Sequence, residues 1–277
     1  MEVEALKKVE RLALKKHRVF ATSRLRYLAR SALASMFIGF GVIVAFKTGS
    51  FFYAEHSPLT YPMAAITFGA AIILISYGGG DLFTGNTFYY TYAALRRKLR
   101  WSDVMRLWLF SYLGNILGAS FFALLIYTTG LFSESSVNGF LLSVVDKKMN
   151  LPMMELFFRA ILCNWLVCLA FFLPMSMKGD GAKMFAMILF VFCFFISGYE
   201  HSIANMCTFA IALVLHHPGT ISMGGVLHNL IPVTFGNLIG GGLLMGFMYH
   251  YVNKPDLEEH LDEREDQLNE AESDRDE

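Results

Sequence analysis

Charged side chains are scarce in this chain. Asp, Glu, Lys and Arg make up only 17% of its 277 residues, while 55% are hydrophobic. Typical soluble domains contain about 25% charged residues. Several stretches of roughly 20 residues are almost free of charge, which is the length that crosses a bilayer as a helix. A soluble fold with a large core does not explain these stretches, so the composition predicts an all-α membrane protein.

Cysteines and catalytic motifs are also few. The four cysteines lie in apolar segments without a CxxC pair, which favours small buried side chains over disulfides or metal ligands: Cys163, Cys168, Cys193 and Cys207. The chain has no HExxH motif and no midspan Ser–His pair, so an intramembrane enzyme is disfavoured, although His201 beside Glu200 leaves acid–base chemistry as an alternative. No cofactor, metal or nucleic-acid partner is expected.

Six apolar segments predict six transmembrane helices, at about 31–53, 61–95, 105–131, 152–177, 184–215 and 223–252. Residues 1–30 lack an apolar run, so no secretory signal is expected, and they predict an amphipathic basic helix at the membrane surface. Residues 31–252 form the predicted pore domain. Lys and Arg concentrate in the N-terminal segment and before the third and fifth helices, which predicts cytoplasmic termini and a multi-pass protein of the cytoplasmic (inner) membrane.

An acidic tail follows the membrane segments. Residues 1–252 contain 20 Lys and Arg and 11 Asp and Glu, whereas residues 253–277 contain 3 and 12. Such a tail is typical of solvated chain without a specific role. Contact between the tail and the basic cytoplasmic loops is the alternative.

Two matching polar sequences interrupt the second and fifth apolar segments. Asp81–Asn86 and Glu200–Asn205 each start with an acid and end in Asn, and they predict breaks in the helices at 78–86 and 197–205. A GNxxG sequence at 114–118 recurs 122 residues later at 236–240. The halves, about 31–131 and 152–252, therefore form predicted inverted repeats of three spans. Irregular backbone at membrane depth is tolerated where it lines a cavity, which indicates a transport site.

The residues of the two breaks suggest their roles. Asn86 and Asn205 are expected to cap the half-helices that follow, so two positive helix ends would meet near the bilayer centre and favour an anion. Asp81 and Glu200 are expected to be scaffold, accepting hydrogen bonds from the loop backbone; pore ligands are the alternative. His201 lies inside a break, which favours a proton-exchanging site over a structural core histidine.

Four motifs together resemble the formate/nitrite transporter family: GGGDLFTGNTF at 78–88, NWLVCLA at 164–170, SGYEHSIANM at 197–206 and NLIPVTFGNLIGGG at 229–242. The resemblance spans all six predicted helices. It implies an aquaporin-like fold, a homopentamer with one pore per protomer, and passage of small monovalent anions or their acids through a lipid membrane. The family members carry formate, nitrite, hydrosulfide and sometimes acetate or lactate.

The resemblance also implies roles for individual residues. His201 matches the family's central His, Thr84 its mobile-loop Thr, and Asn164 the Asn of the fourth helix. Between the constrictions, Thr84 and Asn164 are expected to donate hydrogen bonds to a small carboxylate or nitrite. Lys148 matches the vestibule Lys. The constriction residues match Leu82, Phe83 and Ile72 on one side of the His, with Ile72 standing where Leu is common, and Phe68, Phe194 and Ala204 on the other. Asp81 stands where many members have Glu.

These assignments predict pH-dependent anion transport with a linked proton. Apolar rings should stop a bare anion, which has a high desolvation cost, and admit the neutral acid. Either His201 supplies the proton to the substrate, or the proton comes from bulk water and His201 stays neutral; the sequence leaves both open. Formate is favoured over nitrite, with hydrosulfide, acetate or lactate as alternatives. A water or neutral-solute channel is disfavoured because neither break contains Asn-Pro-Ala.

Overall fold

The computed structural model describes residues 2–254, and all regular structure in that range is helical. The acidic segment 255–277 lies outside the described residues. The first half contains α1 Glu2–Thr22, α2 Arg24–Tyr53, α3 Thr60–Phe68, α4 Ala70–Gly78, α5 Phe83–Leu95 and α6 Trp101–Thr129. The second contains α7 Ser135–Met149, α8 Met153–Phe172, α9 Asp180–Ile196, α10 Ser202–Val214 and α11 Met223–Leu238. A π-helical segment, Ile239–Phe247, joins α11 to α12 Met248–Val252.

Five helical stretches are long and apolar enough to cross a membrane: Arg24–Tyr53, Thr60–Gly78, Trp101–Thr129, Met153–Ser176 and Met223–Val252. Each coincides with a predicted apolar segment. The remaining predicted segment, 184–215, is occupied by α9 and α10, which have 17 and 13 residues. Neither reaches the roughly 20 residues needed to cross alone.

Glycines allow two pairs of helices to pack closely. A Cβ at Gly118 of α6 would lie 2.1 Å from the Ala32 carbonyl oxygen of α2, and one at Gly240 would lie 2.3 Å from the Ile161 carbonyl oxygen of α8. These are the final glycines of the two GNxxG sequences. Because backbone contact leaves no room for a side chain, both copies of the motif fix a helix crossing.

The N-terminal helix is shorter than predicted and packs inside the protein. The chain expected to be helical through residue 30 divides at Ser23, whose side chain accepts a hydrogen bond from the Arg26 backbone N–H and starts α2. Leu6 and Val9 of α1 are fully buried, and the helix packs against α5 and α2. The apolar face predicted to lie on the membrane surface is thus covered by the protein's own helices.

Candidate functional site

The two breaks are short and begin in the same way. Between α4 and α5 only residues 79–82 are non-helical, and Gly79 has φ +76°. Between α9 and α10 the irregular residues are 197–201, and Gly198 has φ +69°. Both glycines adopt the left-handed conformation that side chains disfavour. The non-helical residues 79–82 and 197–201 fall within the ranges 78–86 and 197–205 that were predicted to be irregular, and the first set is about half as long as its range.

The prediction that Asn86 and Asn205 cap the half-helices is wrong. The N-cap residues are Leu82 and His201, and the two asparagines lie one turn inside α5 and α10. Buried charged partners occupy their side chains instead: Lys16 donates to the Asn86 amide oxygen at 2.7 Å, and the Asn205 amide donates to the Glu200 carboxylate. The preference of Asn for N-caps is overridden by this pairing.

The first N–H group of each half-helix is capped by the asparagine of a GNxxG sequence. Asn115 Oδ1 accepts from the Phe83 N–H at 3.1 Å, and its amide donates to the Ser31 carbonyl at 2.6 Å and to the Asp81 carbonyl at 3.4 Å. Asn237 Oδ1 accepts from the Ser202 N–H at 2.8 Å. Its amide donates to the Ala160 carbonyl at 2.8 Å and the Glu200 carbonyl at 3.0 Å. In each break, one asparagine side chain thus fixes the loop backbone to the neighbouring helices.

The acids of the two breaks are buried in ion pairs. Asp81 is fully buried between Lys16, at 2.8 Å, and Arg30, at 2.7 Å. Glu200 pairs with Lys148 at 2.8 Å, and both side chains are largely buried. The carboxylates therefore bind cationic side chains where loop backbone donors were expected. Lys148 lies in α7, so α1 and α7 provide matching lysines to the two breaks.

His201 holds a defined tautomer. Its Nδ1 accepts a hydrogen bond from the Ala204 backbone N–H at 3.0 Å. Because a backbone N–H can only donate, Nδ1 carries no proton and Nε2 must carry one. Nε2 lies 2.9 Å from Thr84 Oγ1, so the imidazole donates to the threonine hydroxyl. The contact joins the starts of α5 and α10, one from each half of the chain.

Asn164 lies behind Thr84. Its amide nitrogen is within hydrogen-bond distance of three protein oxygens: the Thr84 carbonyl at 3.2 Å, Thr87 Oγ1 at 2.9 Å and the Asn237 carbonyl at 2.6 Å. The side chain is fully buried. These contacts occupy the amide donors that the sequence analysis offered to a substrate, and they connect the start of α5 to α11.

Three adjoining cavities lie within the described part of the protein. The first, the α7 vestibule, has a volume of about 340 Å³ and includes Lys148, Glu200 and His201 in its wall. The second, the chamber, has about 20 Å³, and the third, the α1 vestibule, about 490 Å³. The chamber shares His201 and Ala204 with the α7 vestibule and Leu82 with the α1 vestibule. Shared walls make the three cavities one interrupted path.

The chamber is apolar and barely large enough for one water molecule. Five of the six residues predicted to form the constrictions line it, together with the ring edge of His201: Phe68, Ile72, Leu82, Phe194 and Ala204. Phe83 does not line any of the three described cavities. Its ring is buried against Tyr112, with ring centroids 5.0 Å apart. Thr84 lies behind the chamber wall and reaches the path through His201.

A sequence model of the formate/nitrite transporter family matches residues 3–251, nearly the whole described chain. The chain belongs to the formate/nitrite transporter family. It is therefore a multi-pass membrane protein of a family of transporters and channels rather than enzymes.

Several relatives are similar over most of their length. The chain is 62% identical to the uncharacterized transporter YwcJ of Bacillus subtilis, covering 91% of this chain and 99% of that protein. It is 36% identical to the nitrite transporter NirC of Escherichia coli, covering 85% and 86%. It is 32% identical to the formate-nitrite transporter of Plasmodium falciparum, covering 84% and 79%.

Solved structures share the fold. An FNT family ion channel superposes with a TM-score of 0.84 at 33% identity, covering 90% of this chain and 98% of that one. A pentameric formate channel with formate bound superposes with a TM-score of 0.66 at 26% identity, covering 82% and 98%.

Four residues that build the site were not predicted from the sequence. Asn115 and Asn237 served only as markers of the repeat, although their similar spacing from the acids of the two breaks, 34 and 37 residues, was a signal of a shared role. Lys16 and Arg30 were predicted to lie in a surface helix, but the structure pairs both with Asp81. A buried acid in each break implies a buried cation, and that requirement was the available signal.

Proposed function

We propose that the protein is a channel for small monovalent anions, formate first and nitrite second, which cross the narrow chamber as their neutral acids. The observation that carries this proposal is the geometry of the path. Two vestibules with basic walls flank a chamber of about 20 Å³ that is lined by Phe, Ile, Leu and Ala around one imidazole. Basic vestibules attract anions, and an apolar chamber rejects bare charge.

The proposed topology has six crossings of the cytoplasmic (inner) membrane, with both termini in the cytoplasm. In this arrangement α3, α4 and α5 together form the second crossing, and α9 and α10 the fifth, each broken at its polar loop. The matching contacts of Asn115 and Asn237 support an inverted repeat about an axis in the membrane plane. A homopentamer is proposed from the likeness to the pentameric formate channel.

The two half-helix starts lower the free-energy cost of placing negative charge in the chamber, compared with the cost that its apolar walls alone would impose. Leu82 and His201, the N-cap residues of α5 and α10, both border the chamber, so the positive ends of two 13-residue helices converge there. Partial positive charge at a helix start stabilises an anion or an electron-rich oxygen. This field favours a small oxyacid over water while the walls still exclude a free ion.

His201 is proposed to act as a neutral hydrogen-bond donor. Its Nε2–H already donates to Thr84, and a second proton would have to enter at Nδ1, which accepts from the Ala204 N–H. Adding a proton there would break the helix cap and place a cation against the positive end of α10. These contacts favour the alternative in which the proton comes from bulk water and enters with the substrate.

Thr84 lines none of the three described cavities. It is proposed to offer its hydroxyl proton to the substrate when the loop that carries it moves toward the chamber, the role that the likeness to the family's mobile-loop Thr implies. Its oxygen accepts from His201, and within residues 2–254 no protein atom accepts its hydroxyl hydrogen. A hydroxyl whose acceptor side is occupied can turn its hydrogen toward an oxygen of a passing molecule. Asn164 holds the Thr84 backbone in place through the carbonyl oxygen, so it is proposed as a positioning residue.

Lys148 is proposed to give the α7 vestibule its attraction for anions. Its ion pair with Glu200 and the pair of Arg159 with Glu155 cancel part of the charge, so Lys148 acts together with Lys147 and Arg159 in a wall that holds three cations and one carboxylate. Charges on a vestibule wall act mainly by steering, and salt screens them over about 10 Å. Lactate is a weaker candidate for the substrate, since the bulky rings beside the chamber oppose larger acids. Hydrosulfide, which is smaller than formate, and acetate stay alternatives.

Formate uptake into proteoliposomes tests this proposal. We compare the unmodified protein with His201→Asn and His201→Gln, neither of which titrates, and with His216→Asn, an exposed histidine outside the path. We expect formate flux to rise about tenfold per unit fall in pH in all four proteins, since the neutral acid increases in that proportion. Loss of one hydrogen bond should lower the rate of the two His201 variants roughly fivefold.

Three results distinguish the ways in which this proposal could be wrong. If the pH dependence disappears in both His201 variants but not in His216→Asn, His201 is the proton relay and the neutral role is wrong. If the unmodified protein shows no formate or nitrite flux above empty liposomes, the proposed substrate class is wrong. Osmotic shrinkage without formate, as fast as with it, would instead indicate a neutral-solute channel.

A further inference from the structure

The α1 vestibule carries a concentrated positive charge. Five cationic side chains line it: Lys8, Lys15, Lys16, Arg30 and Lys183. Two carboxylates pair with lining cations, Asp81 with Lys16 and Arg30, and Asp180 with Lys183. Cations therefore exceed carboxylates in the wall of this cavity.

Part of this charge is not neutralised inside the described chain. Lys8 donates to the carbonyl oxygen of Met175, a neutral group, and so keeps its full charge. Lys15 is exposed and forms no ion pair with any residue of 2–254. These two lysines lie on α1 at the rim of the cavity, where a polyanion from outside could reach both.

The C-terminal end of the described chain lies beside this rim. The Tyr249 ring of α12 packs on the Phe172 ring with centroids 4.9 Å apart. Phe172 directly precedes the 3₁₀ turn Leu173–Ser176, and Pro174 and Met175 of that turn line the α1 vestibule. Met175 is also the residue that Lys8 contacts. Tyr249, five residues before the last described residue, is thus packed beside the turn that forms part of the basic rim.

The sequence that follows is a strong polyanion. Residues 255–277 contain 12 Asp and Glu and two Arg. A flexible chain of this length spans about 25 Å between its ends, and a fully extended one about 75 Å. Either distance exceeds the width of a vestibule of about 490 Å³. Charge, starting point and length therefore all suit contact between this segment and Lys8 and Lys15.

We infer that the acidic segment 255–277 docks on the basic rim of the α1 vestibule of its own chain and competes there with the transported anion. This inference rests on the proposed function for its transport consequence, but the contact itself does not depend on which anion is carried. A tethered segment has an effective concentration of order millimolar, so weak contacts suffice to occupy the rim. Occupancy should fall steeply as salt screens the charges.

Zero-length cross-linking tests the contact without reference to transport. Carbodiimide treatment of the full chain in liposomes at low salt should join Lys8 or Lys15 to acids of 255–277, as identified by mass spectrometry. Lys15→Gln should remove its share of these links, and high salt should abolish all of them. Links to Lys147 only, or links found only between subunits, would overturn docking on the same chain.

Formate flux tests the consequence. We compare the full chain, a chain ending at Lys254, and a full-length chain in which the acids of 255–277 are replaced by their amides. Both altered proteins should need roughly threefold less formate for half-maximal flux from the α1 side at low salt, with an unchanged maximal rate. The three curves should coincide at high salt, since screening releases the native segment.

The outcomes separate this inference from the proposed function. Equal half-saturation for the full and amide chains at low salt would overturn the competition. Formate flux absent from all three proteins would refute the proposed substrate, and the cross-linking result would then decide the docking alone.

Discussion

Replacement of Asn237 by Leu should destabilise the loop between α9 and α10. The variant keeps a similar volume but removes the acceptor for the Ser202 N–H and the donors to the Ala160 and Glu200 carbonyl oxygens. A buried polar group left without a partner costs about 1–3 kcal/mol in soluble proteins. Side-chain hydrogen bonds in membrane proteins average nearer 0.6 kcal/mol. Three lost bonds therefore predict a destabilisation of about 2 kcal/mol on the membrane-protein scale and about 3–9 kcal/mol on the soluble-protein scale.

The expected effect is large because protein stability is typically only about 5–15 kcal/mol. Unfolding of the detergent-solubilised protein measures the destabilisation, and formate flux reports whether displacement of the loop impairs transport. Asn115→Leu, which removes the matching bonds of the first break, should behave alike. Asn150→Leu is the control, because the exposed Asn150 bonds only to Asp146 on its own helix and should change stability by less than about 0.5 kcal/mol. Wild-type stability and flux in both Asn115→Leu and Asn237→Leu would refute the pinning role.

Two further predictions follow from the same packing. Gly241→Val should abolish formate flux, because even a Cβ at this position would lie 1.9 Å from Thr87 Oγ1 and 2.6 Å from the Asn164 amide nitrogen. The control is Gly219→Val, which should keep normal flux because a Cβ at Gly219 would have no neighbour within 4 Å. Normal flux in the Gly241 variant would contradict the close packing. Lys148→Met should destabilise the protein by about 3–5 kcal/mol by leaving Glu200 buried without its cation, and Lys148→Met combined with Glu200→Gln should recover most of that loss in the same unfolding assay. No recovery in the double variant would show that the pair is not the cause.

The amino-acid pattern predicts an all-helical protein with long apolar helices, because helices of this kind depend on local hydrophobicity. The residues around the chamber were expected from the family resemblance and not from the local pattern. That pattern does not predict the caps of the half-helices. Asn86 and Asn205 have the residue type of an N-cap, but Lys16 binds Asn86 from α1, and Asn205 donates to Asn229 of α11 and to the nearby Glu200. Asn115 and Asn237 accept from the first N–H of the two half-helices instead, and the imidazole of His201 also caps α10. Such competition is decided by tertiary contacts that no local rule contains.

The role of α1 was missed for a related reason. Its alternating leucines and lysines indicate an amphipathic helix, and that pattern is the same for a helix on a membrane and for one packed on protein. Only the buried acid Asp81, which needs a cationic partner, distinguishes the two. The helix α7 was hidden in the same way, since 135–149 is too polar to be taken for a membrane span, yet it carries Lys148 to Glu200.

Blocking the chamber tests the central claim most directly. Ala204 borders both the α7 vestibule and the chamber, and its hydrogen bond to His201 is made by its backbone N–H. Ala204→Phe therefore adds a ring to the path and keeps the donor of that bond. Formate flux through Ala204→Phe should fall to the level of empty liposomes, with correctly assembled protein, while Ala204→Ser should conduct as the native protein does. Native flux through Ala204→Phe would show that formate does not cross the protein by this path.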